Sequence, residues 1–333
     1  MGFGRYLAIR LVNLSIVVIG LVILDFFMFR TIGDPTALLL GNPNIRPIQR
    51  AAIKASLGLD RPLFDQFVIY ITQLSHGDLG TSWIFKTPVT YQIFIRLPNT
   101  MLLLGTAYFI SSLLGIVTGV KASSIRGRKG DVGIVTSSLF LSSLPVFWIG
   151  FLLISYLSVL PSQLHLPFSF PSGGTYNSGW LGAQLSTGFP QYVVQVLQHL
   201  ALPVFALTLI LYGGHTLLMR NTLIDVLSED YIITARAKGL SDDDVLYKHA
   251  MRNAYLPIVS ALAIQFGGIL GGAILTETVF SYNGLGGLII SSVQSYDWPV
   301  LQGIFLIIGV MTVLANLVAD ILYGVLDPRV KVG

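Results

Sequence analysis

Long apolar stretches, separated by shorter polar segments, dominate the pattern of hydrophobic and polar positions along this chain. An apolar run of about 20 residues is long enough for a helix to cross roughly 30 Å of hydrocarbon. The pattern predicts six membrane-spanning helices, at residues 7–29, 99–120, 132–157, 199–219, 256–280 and 299–323. The expected fold is therefore an all-α integral membrane protein.

Basic residues near the ends of these stretches predict the orientation. Arg5 and Arg10 lie at the start of the first stretch, and a basic turn at 121–129 follows the second. Positive residues favour the cytoplasmic side, so both termini are predicted to be cytoplasmic. A cleaved signal peptide is the competing interpretation of the first stretch. That stretch is too long for a signal core and shows no small-x-small cleavage pattern, so it is expected to remain as an anchor.

The polar segments divide the chain into three regions. Residues 1–30 form the N-terminal transmembrane helix, and residues 31–98 form a large external loop with short helices, one of them predicted at 48–57. Residues 99–330 form a five-helix core, which contains a charged loop at 228–257.

The charged loop begins with a predicted helix. Ser228 can cap a helix that begins at Glu229, because its hydroxyl can accept a hydrogen bond from an unpaired backbone N–H. Acidic residues are expected in the first turn and basic residues in the last, as the helix dipole favours; these are Glu229, Asp230, Arg236 and Lys238. Gly239 follows, where a left-handed helix stop needs a residue without Cβ.

A second helix is predicted directly after this glycine. Ser241 and Asp244 form a variant of the capping box, with Asp in place of Glu. The Leu256-Pro257 step is predicted to end the helix, because the residue before a proline is disfavoured in the helical region. Caps and charges alone leave open an ordinary cytoplasmic loop between membrane helices.

Composition supports the membrane assignment. The chain of 333 residues is 53% hydrophobic and only 11% charged, with a mean hydropathy of +0.74. Soluble domains contain about 25% charged residues. The net charge of +4 needs no nucleic acid to explain it. The sequence contains no cysteine and no GxxxxGK[ST] phosphate loop, so any ATP chemistry is expected on another chain.

The order of residues in the charged loop carries a family resemblance. Residues 230–240 read DYIITARAKGL and residues 249–257 read HAMRNAYLP. This order resembles the EAA loop of ABC-transporter permeases, more narrowly the branch that imports dipeptides, oligopeptides and nickel. Ala235 matches the last alanine of the EAA triplet and Gly239 the family glycine. Ile233 and Thr234 replace the glutamate and the first alanine.

Other segments extend the resemblance from residue 57 to residue 330. They are LGLDRPL at 57–63, GDLGTS at 77–82, RLPNT at 96–100, GGAILTETVF at 271–280 with GLG at 284–286, and LDPR at 326–329. Each is similar to a segment of the same permease branch, and they occur in the family's order.

The resemblance implies a role for the loop and a set of partners. In the family, a coupling helix docks in a groove on an ATPase subunit. The residues expected to form this contact are Glu229, Asp230, Tyr231, Ala235, Arg236, Lys238, Gly239 and Leu240. Arg236 and Lys238 are expected to make polar contacts, and Tyr231, Ala235 and Leu240 to pack into the groove.

The expected assembly lies in the cytoplasmic (inner) membrane. It contains a second homologous permease, two ABC ATPase subunits that hold ATP and Mg, and an extracytoplasmic solute-binding protein, with no cofactor in this chain and no nucleic acid.

Residues within the predicted spans supply candidates for the solute pathway. Pro145 breaks a helix at membrane depth, where freed backbone groups must face protein or water. An intramembrane carboxylate is a functional candidate by default, which makes Glu277 a pathway candidate. Asp25 and Asp320 lie near the ends of spans and are expected to be structural.

Two other classes of function remain as alternatives. An ion-coupled secondary transporter would show inverted repeats and mid-membrane charges, and neither is convincing in this sequence. An intramembrane serine protease would need a histidine at the depth of its nucleophile. The serines in the spans, Ser111, Ser112, Ser142 and Ser143, are expected to have no such histidine. Within the permease architecture, nickel and oligosaccharides are alternatives to peptides.

Overall fold

The computed structural model describes residues 3–31, 46, 48, 55, 61–175, 189–269 and 274–326. The predicted helix at 48–57, the Gly271-Gly272 step and the C-terminal LDPR segment lie mostly or wholly outside these residues. The longer helices are α1 (Phe3–Thr31), α2 (Leu63–Ser75), α3 (Val89–Phe94), α4 (Leu97–Ser124), α5 (Lys129–Ser143), α6 (Val146–Gln163, with a π-helical turn at Ser155–Val159) and α7 (Phe189–Leu227). They continue with α8 (Asp230–Ala237), α9 (Asp242–Asp244, the π-helical turn Val245–Ala250 and Met251–Ile269), α10 (Ile274–Val279), α11 (Leu285–Gln294) and α12 (Trp298–Leu326).

The all-α prediction is confirmed, and five helical stretches in the described residues are long and apolar enough to cross a membrane. They are Leu7–Arg30, Val89–Ser124, Val146–Gln163, Phe189–Leu227 and Trp298–Ile321. Three of them contain a span predicted from the sequence, and Trp298–Ile321 covers all but the last two residues of the span predicted at 299–323. The third begins at Val146 instead of residue 132, because the helix breaks before it. α9 is not among the five.

The break lies at Leu144-Pro145, as the sequence predicts. α5 ends at Ser143, and both Leu144 and Pro145 are extended, with ψ of 136° and 130°. The proline ring clashes with a helical residue before it, so Leu144 leaves the helix. Pro145 itself precedes the first residue of α6, where its missing N–H costs no helical hydrogen bond.

α4 and α7 run parallel in close contact. Gly115 faces His215, and four residues later Gly119 faces Met219; a Cβ on Gly119 would lie 2.6 Å from the Cβ of Met219. Glycine at these positions lets the two backbones approach, as small residues do between membrane helices. α5 runs antiparallel to α7, with Gly213 packed against Ser138 and Ser142.

α1 packs antiparallel to α12. Arg10 and Asp320 form an ion pair of 3.0 Å at one end, and the rings of Phe29 and Trp298 meet edge to face at 5.8 Å at the other. We call the end that carries residues 121–131 and 228–250 the proximal end. The end that carries residues 61–97 and 281–298 is the distal end.

A buried aspartate links the distal loop to α12 by hydrogen bonds. Asp297 is fully buried and accepts a hydrogen bond from the Ser82 hydroxyl at 2.5 Å and from the N–H groups of Trp83 and Ile84 at 3.1 and 3.2 Å. It therefore joins the turn after the GDLGTS segment to the start of α12, which lies more than 200 residues away in sequence.

The prediction that a helix ends at Leu256-Pro257 is wrong. Pro257 lies inside the helical segment Met251–Ile269. Proline removes one backbone hydrogen bond, but membrane helices tolerate it where neighbouring helices and local adjustments satisfy the freed groups. A π-helical turn, Val245–Ala250, lies directly before this segment.

Candidate coupling site

α8 begins where α7 ends, but its first turn is not capped as predicted. Glu229 is the N-cap residue, in an extended conformation and without a side-chain cap. The predicted cap by Ser228 is wrong: its hydroxyl donates to the carbonyl of Ile224 at 2.8 Å. The terminal carbonyls of α7 lack helical partners, and a serine four residues on can reach one of them.

Gly239 ends α8 as predicted. Its φ is +80°, and its N–H donates to the carbonyl of Arg236 at 2.9 Å. A Cβ at this position would meet nothing within 4 Å. The left-handed backbone, and not lack of space, therefore favours glycine here.

The second cap is confirmed. The Ser241 hydroxyl accepts from the N–H of Asp244 at 3.2 Å and donates to the Asp244 carboxylate at 2.9 Å. Asp244 also pairs with Lys248 at 2.5 Å, one helical turn later. The hydrogen bond from Lys248 lowers the pKa of Asp244, with a smaller contribution from Ser241. This exposed pair supports the first turn of α9.

The inward face of α8 is anchored in the protein's own core. Ile232 and Ala235, one helical turn apart, are buried. They belong to a hydrophobic cluster at the proximal end that includes Met219 and Leu223 of α7 and Leu246 of α9. The expectation that Ala235 packs into a partner's groove is therefore corrected, because its methyl group faces this cluster.

The outward face of α8 is apolar and basic. Ile233 is 64% exposed, Tyr231 37% and Leu240 38%. Arg236 and Lys238 are exposed beside them, and Arg236 makes only a long contact of 3.8 Å with Asp242. Glu229 and Asp230 are exposed at the start of the helix. These residues form the candidate coupling surface.

Two exposed apolar residues at this surface were missed in the sequence. Ile233 was set aside because it replaces a family glutamate, and Tyr247, 59% exposed, lies in the following π-helical turn. The spacing of Ile232 and Ala235 as buried residues would have placed Ile233 on the outer face. No spacing argument identifies Tyr247, because the π-helical turn changes the helical period.

A buried ion pair fixes the helix from which α8 extends. Arg220 of α7 donates from Nε and Nη2 to the two carboxylate oxygens of Asp131, at 2.6 and 2.7 Å. The Gly127 N–H donates to the same carboxylate at 2.9 Å. The hydrogen bonds from Arg220 are the main reason that the pKa of Asp131 lies below its ordinary value, although burial acts in the opposite direction.

The two pathway candidates have different surroundings. Pro145 is exposed at the break between α5 and α6. Glu277 is fully buried and accepts hydrogen bonds from the Thr100 hydroxyl at 2.7 Å and the Gly286 N–H at 2.6 Å. Its carboxylate faces the N-terminus of α11, where the helix dipole stabilises negative charge. In this conformation Glu277 makes no contact with solvent.

The expectation that no histidine accompanies the serines of the spans is wrong. His215 of α7 lies 3.4 Å from the Ser112 hydroxyl, and Tyr108 packs edge to face on its ring. Ser112 and His215 are both buried between α4 and α7, where a substrate cannot reach them. The pair joins two helices, so it gives no support to an intramembrane protease.

Two family matches cover most of the chain. Residues 111–332 match the family described as "Binding-protein-dependent transport system inner membrane component". Residues 3–104 match the N-terminal part of such membrane components. The chain belongs to this family. It is therefore a membrane-embedded transport subunit of the inner membrane and not an enzyme.

Curated relatives of this permease family align over nearly their whole length. The chain is 37% identical over 325 residues to the dipeptide transport system permease protein of Escherichia coli (strain K12), covering 94% of each chain. It is 36% identical over 317 residues to an oligopeptide transport system permease protein of Bacillus subtilis (strain 168), covering 95% of each. A glutathione transport system permease protein of Salmonella choleraesuis is 35% identical, with 98% and 99% covered.

A solved structure shows the same fold. The match is a chain of the MetNI methionine ABC transporter in an inward-facing conformation, with a TM-score of 0.55 and 15% sequence identity. It covers 72% of the present chain and 97% of the other. At this identity the likeness concerns the fold alone.

Proposed function

We propose that this chain is one of two permease subunits of an ATP-driven importer of dipeptides or oligopeptides. The observation that carries the proposal is the outward face of α8, which presents exposed apolar and basic side chains at the proximal end. Ile232 and Ala235 hold the other face of this short helix against α7 and α9. The inner side of α8 is thus anchored to two long helices, and its exposed side could bind a second protein.

The proposed topology has six spans and two cytoplasmic termini. α9 would supply the sixth span. The basic residues of the 121–129 turn lie at the same end of the bundle as α8, and the positive-inside rule favours the cytoplasm for that end. This places the candidate coupling surface on the side where ATP is available.

Coupling would follow from the way α8 is attached. An ATPase that closes on ATP binding displaces α8, and the shared core transmits this displacement to α7 and α9 as a rigid body. ATP can shift the inward/outward equilibrium only by its difference in affinity for the two states. Tyr231, Ile233 and Leu240 would supply the apolar contact, and Arg236 and Lys238 its polar rim.

The peptide assignment is supported by the relatives, whose names refer to dipeptide, oligopeptide and glutathione transport. We infer that the chain works with a second homologous permease, two ATPase subunits and an extracytoplasmic binding protein. Pro145, exposed at the helix break, is the proposed pathway residue. Glu277 would not contact the solute; it would hold α4 and α11 in place through its hydrogen bonds to Thr100 and Gly286.

The test is co-purification of ATPase activity with the tagged chain, expressed together with its partner subunits. Ile233→Arg places a bulky cation where this chain has an apolar side chain and the family a glutamate, and it is expected to lower the co-purified ATPase activity about tenfold or more. Ser124→Arg is the matched control, since it adds the same charge to an exposed position at the same end. It should leave the activity unchanged.

Transport assays separate the alternatives. Uptake of a labelled dipeptide should require ATP, should fail in Ile233→Arg and should resist competition by nickel or oligosaccharide. Uptake that continues after ATP depletion under a clamped proton gradient would overturn the proposal in favour of a secondary transporter. An ATPase that stays bound to Ile233→Arg with wild-type activity would remove α8 from the interface.

A further inference from the structure

A polar cavity lies at the distal end, apart from the coupling surface. Its volume is about 340 Å³, and it is enclosed by α1, α2, the start of α12 and the turn at 78–86. Its lining includes Arg30, Gln66, Tyr70, Lys86, Trp298 and Gln302. Neither the coupling surface nor the pathway candidates make use of it.

The charges around the cavity are balanced. Arg30 and Lys86 supply two cations, and Asp78 supplies an anion. A second anion, Asp25, lies behind Tyr70, whose hydroxyl donates to it at 2.9 Å. Asp25 is only 3% exposed. A ligand with one positive and one negative group would match this arrangement better than a simple anion or cation.

Several buried polar atoms around the cavity have no hydrogen-bond partner among the described residues. Donors without a partner are Nε of Arg30 and Nε1 of Trp298, and an acceptor without a partner is Oε1 of Gln66. Gln302 lies beside Asp25 and Tyr70, but its Nε2 and Asp25 Oδ1 make no hydrogen bond of good geometry within those same residues. Leaving such groups unsatisfied is costly, so a polar ligand that supplies both donors and acceptors would stabilise this region.

The position of the cavity indicates the kind of ligand. Arg30 is the last residue of the apolar stretch Leu7–Arg30, which places it where hydrocarbon gives way to headgroups. Tyr70 and Trp298 are of the types enriched at that level. α2 turns Gln66 and Tyr70 toward the cavity and exposes Phe64, Val68 and Ile71 on its opposite face. A helix with such an apolar face, outside the spans, is suited to lie in the membrane interface.

We propose that this cavity binds the headgroup of a zwitterionic phospholipid of the outer leaflet. The phosphate would accept hydrogen bonds from Arg30 and Trp298, and the ammonium group would donate to the oxygens of Asp78 and Gln66, which line the cavity. The acyl chains would follow the lipid-facing surface of α1, where Leu24 and Phe27 are exposed. The lipid would thereby join α1 and α2 to the start of α12.

The test measures lipid binding to the full-length chain by native mass spectrometry after delipidation in detergent. Phosphatidylethanolamine, whose ammonium group carries N–H donors, should bind about tenfold or more tightly than phosphatidylglycerol, which lacks the cation. Phosphatidylcholine should bind more weakly than phosphatidylethanolamine, because its quaternary ammonium has no N–H to donate. Arg30→Gln removes a donor to the phosphate and should weaken phosphatidylethanolamine binding about tenfold. Arg128→Gln, the same change at an exposed proximal position, is the control and should bind this lipid as wild type does.

A second variant, expected to fold normally, tests whether weaker lipid binding could be caused by misfolding. Trp298→Phe keeps the ring that packs on Phe29 but removes the N–H donor. In the lipid-free chain it should leave the melting temperature unchanged or raised, because an unsatisfied donor is lost. It should nevertheless weaken phosphatidylethanolamine binding several-fold.

Three outcomes would overturn the proposal. Equal binding of phosphatidylglycerol would indicate general annular lipid. Equal lipid binding by wild type, Arg30→Gln and Trp298→Phe would place the lipid elsewhere. Displacement of the lipid by free phosphoethanolamine or by a dipeptide would assign the cavity to a soluble zwitterion.

Discussion

Arg220 donates two parallel hydrogen bonds of 2.6 and 2.7 Å to the carboxylate of Asp131. These bonds join the last turns of α7 to the first turn of α5. The carboxylate is almost fully buried and the guanidinium mostly so. α8 extends from α7 only a few residues later. The ion pair therefore fixes the base on which the candidate coupling surface stands.

Loss of this ion pair should destabilise the protein strongly. Asp131→Asn leaves the Arg220 charge partly buried without its counter-ion, which costs about 3 kcal/mol in the free energy of unfolding. The double variant with Arg220→Gln should recover part of that loss, because no unpaired charge remains. Denaturant unfolding in detergent measures both. Equal stability of wild type and Asp131→Asn would show that the pair contributes nothing.

The same ion pair predicts a dependence of stability on pH. The pKa of Asp131 is lower in the folded protein than its ordinary value of 3.8. The contribution to stability is therefore complete above that ordinary value and is lost as the pH falls through the lowered pKa. Wild type should lose more stability than Asp131→Asn between pH 5 and the lowest pH at which the detergent complex survives (on the order of pH 3). Parallel pH profiles of the two proteins would contradict this account.

The effect of a substitution at Gly239 should depend on how well the new residue tolerates a left-handed backbone, and not on the size of its side chain. Its left-handed φ costs an ordinary L-residue about 1 kcal/mol, and asparagine less. Since the surrounding space is open, Gly239→Asn should keep most ATPase co-purification and peptide uptake, whereas Gly239→Val should lose most of both. Equal activity of the two variants would mean that the turn does not require this conformation.

The glycines of α4 provide a matched comparison within one helix. Gly115 and Gly119 lie directly against α7, while a Cβ on Gly105 would meet nothing within 4 Å. Gly119→Ala should lower the free energy of unfolding by about 1–3 kcal/mol through overpacking, and Gly115→Ala similarly. Gly105→Ala should be neutral or stabilising by about 0.5–1 kcal/mol. Thermal unfolding of the three variants in one detergent tests the order.

The Glu277 carboxylate should behave as a unit with Thr100. Glu277→Gln removes an acceptor from the N-terminus of α11 and should cost about 1–3 kcal/mol. Thr100→Val removes both the donor to Glu277 and the acceptor of the Leu285 N–H. The double variant should cost less than the sum of the two. Thr278→Ala is the control, because that hydroxyl bonds only the carbonyl of Ile274 in its own helix. Strict additivity would argue against a shared network.

Local chemistry in the sequence predicted much of the fold. The positive φ of Gly239, the cap at Ser241 and the helix break at Pro145 each depend on neighbouring residues alone. The Ser228 cap was wrong because the carbonyl of Ile224, four residues earlier, competes for the same hydroxyl. The helix end at Pro257 was wrong because the helix continues through the proline. Contacts between distant residues left no local signal: Asp131 and Arg220 are 89 residues apart, and Thr100 and Glu277 are 177 apart.

The site was predicted in position but not in orientation. The sequence placed a charged helix between two spans, and the structure confirms that helix. Which side of the helix faces the protein depends on the cluster formed with Met219, Leu223 and Leu246. That cluster buries Ala235 and leaves Ile233 exposed, which the motif alone does not predict.

The contact between α4 and α7 has a mechanical consequence. Gly115 and Gly119 seat the Cβ atoms of His215 and Met219 so closely that neither helix can slide along the other without a clash. The two helices therefore act as one stiff lever. α4 alone, with 28 residues at about 1.5 Å each, is roughly 42 Å long. A tilt of α7 at the proximal end would therefore carry α4 with it along its length, as far as Thr100.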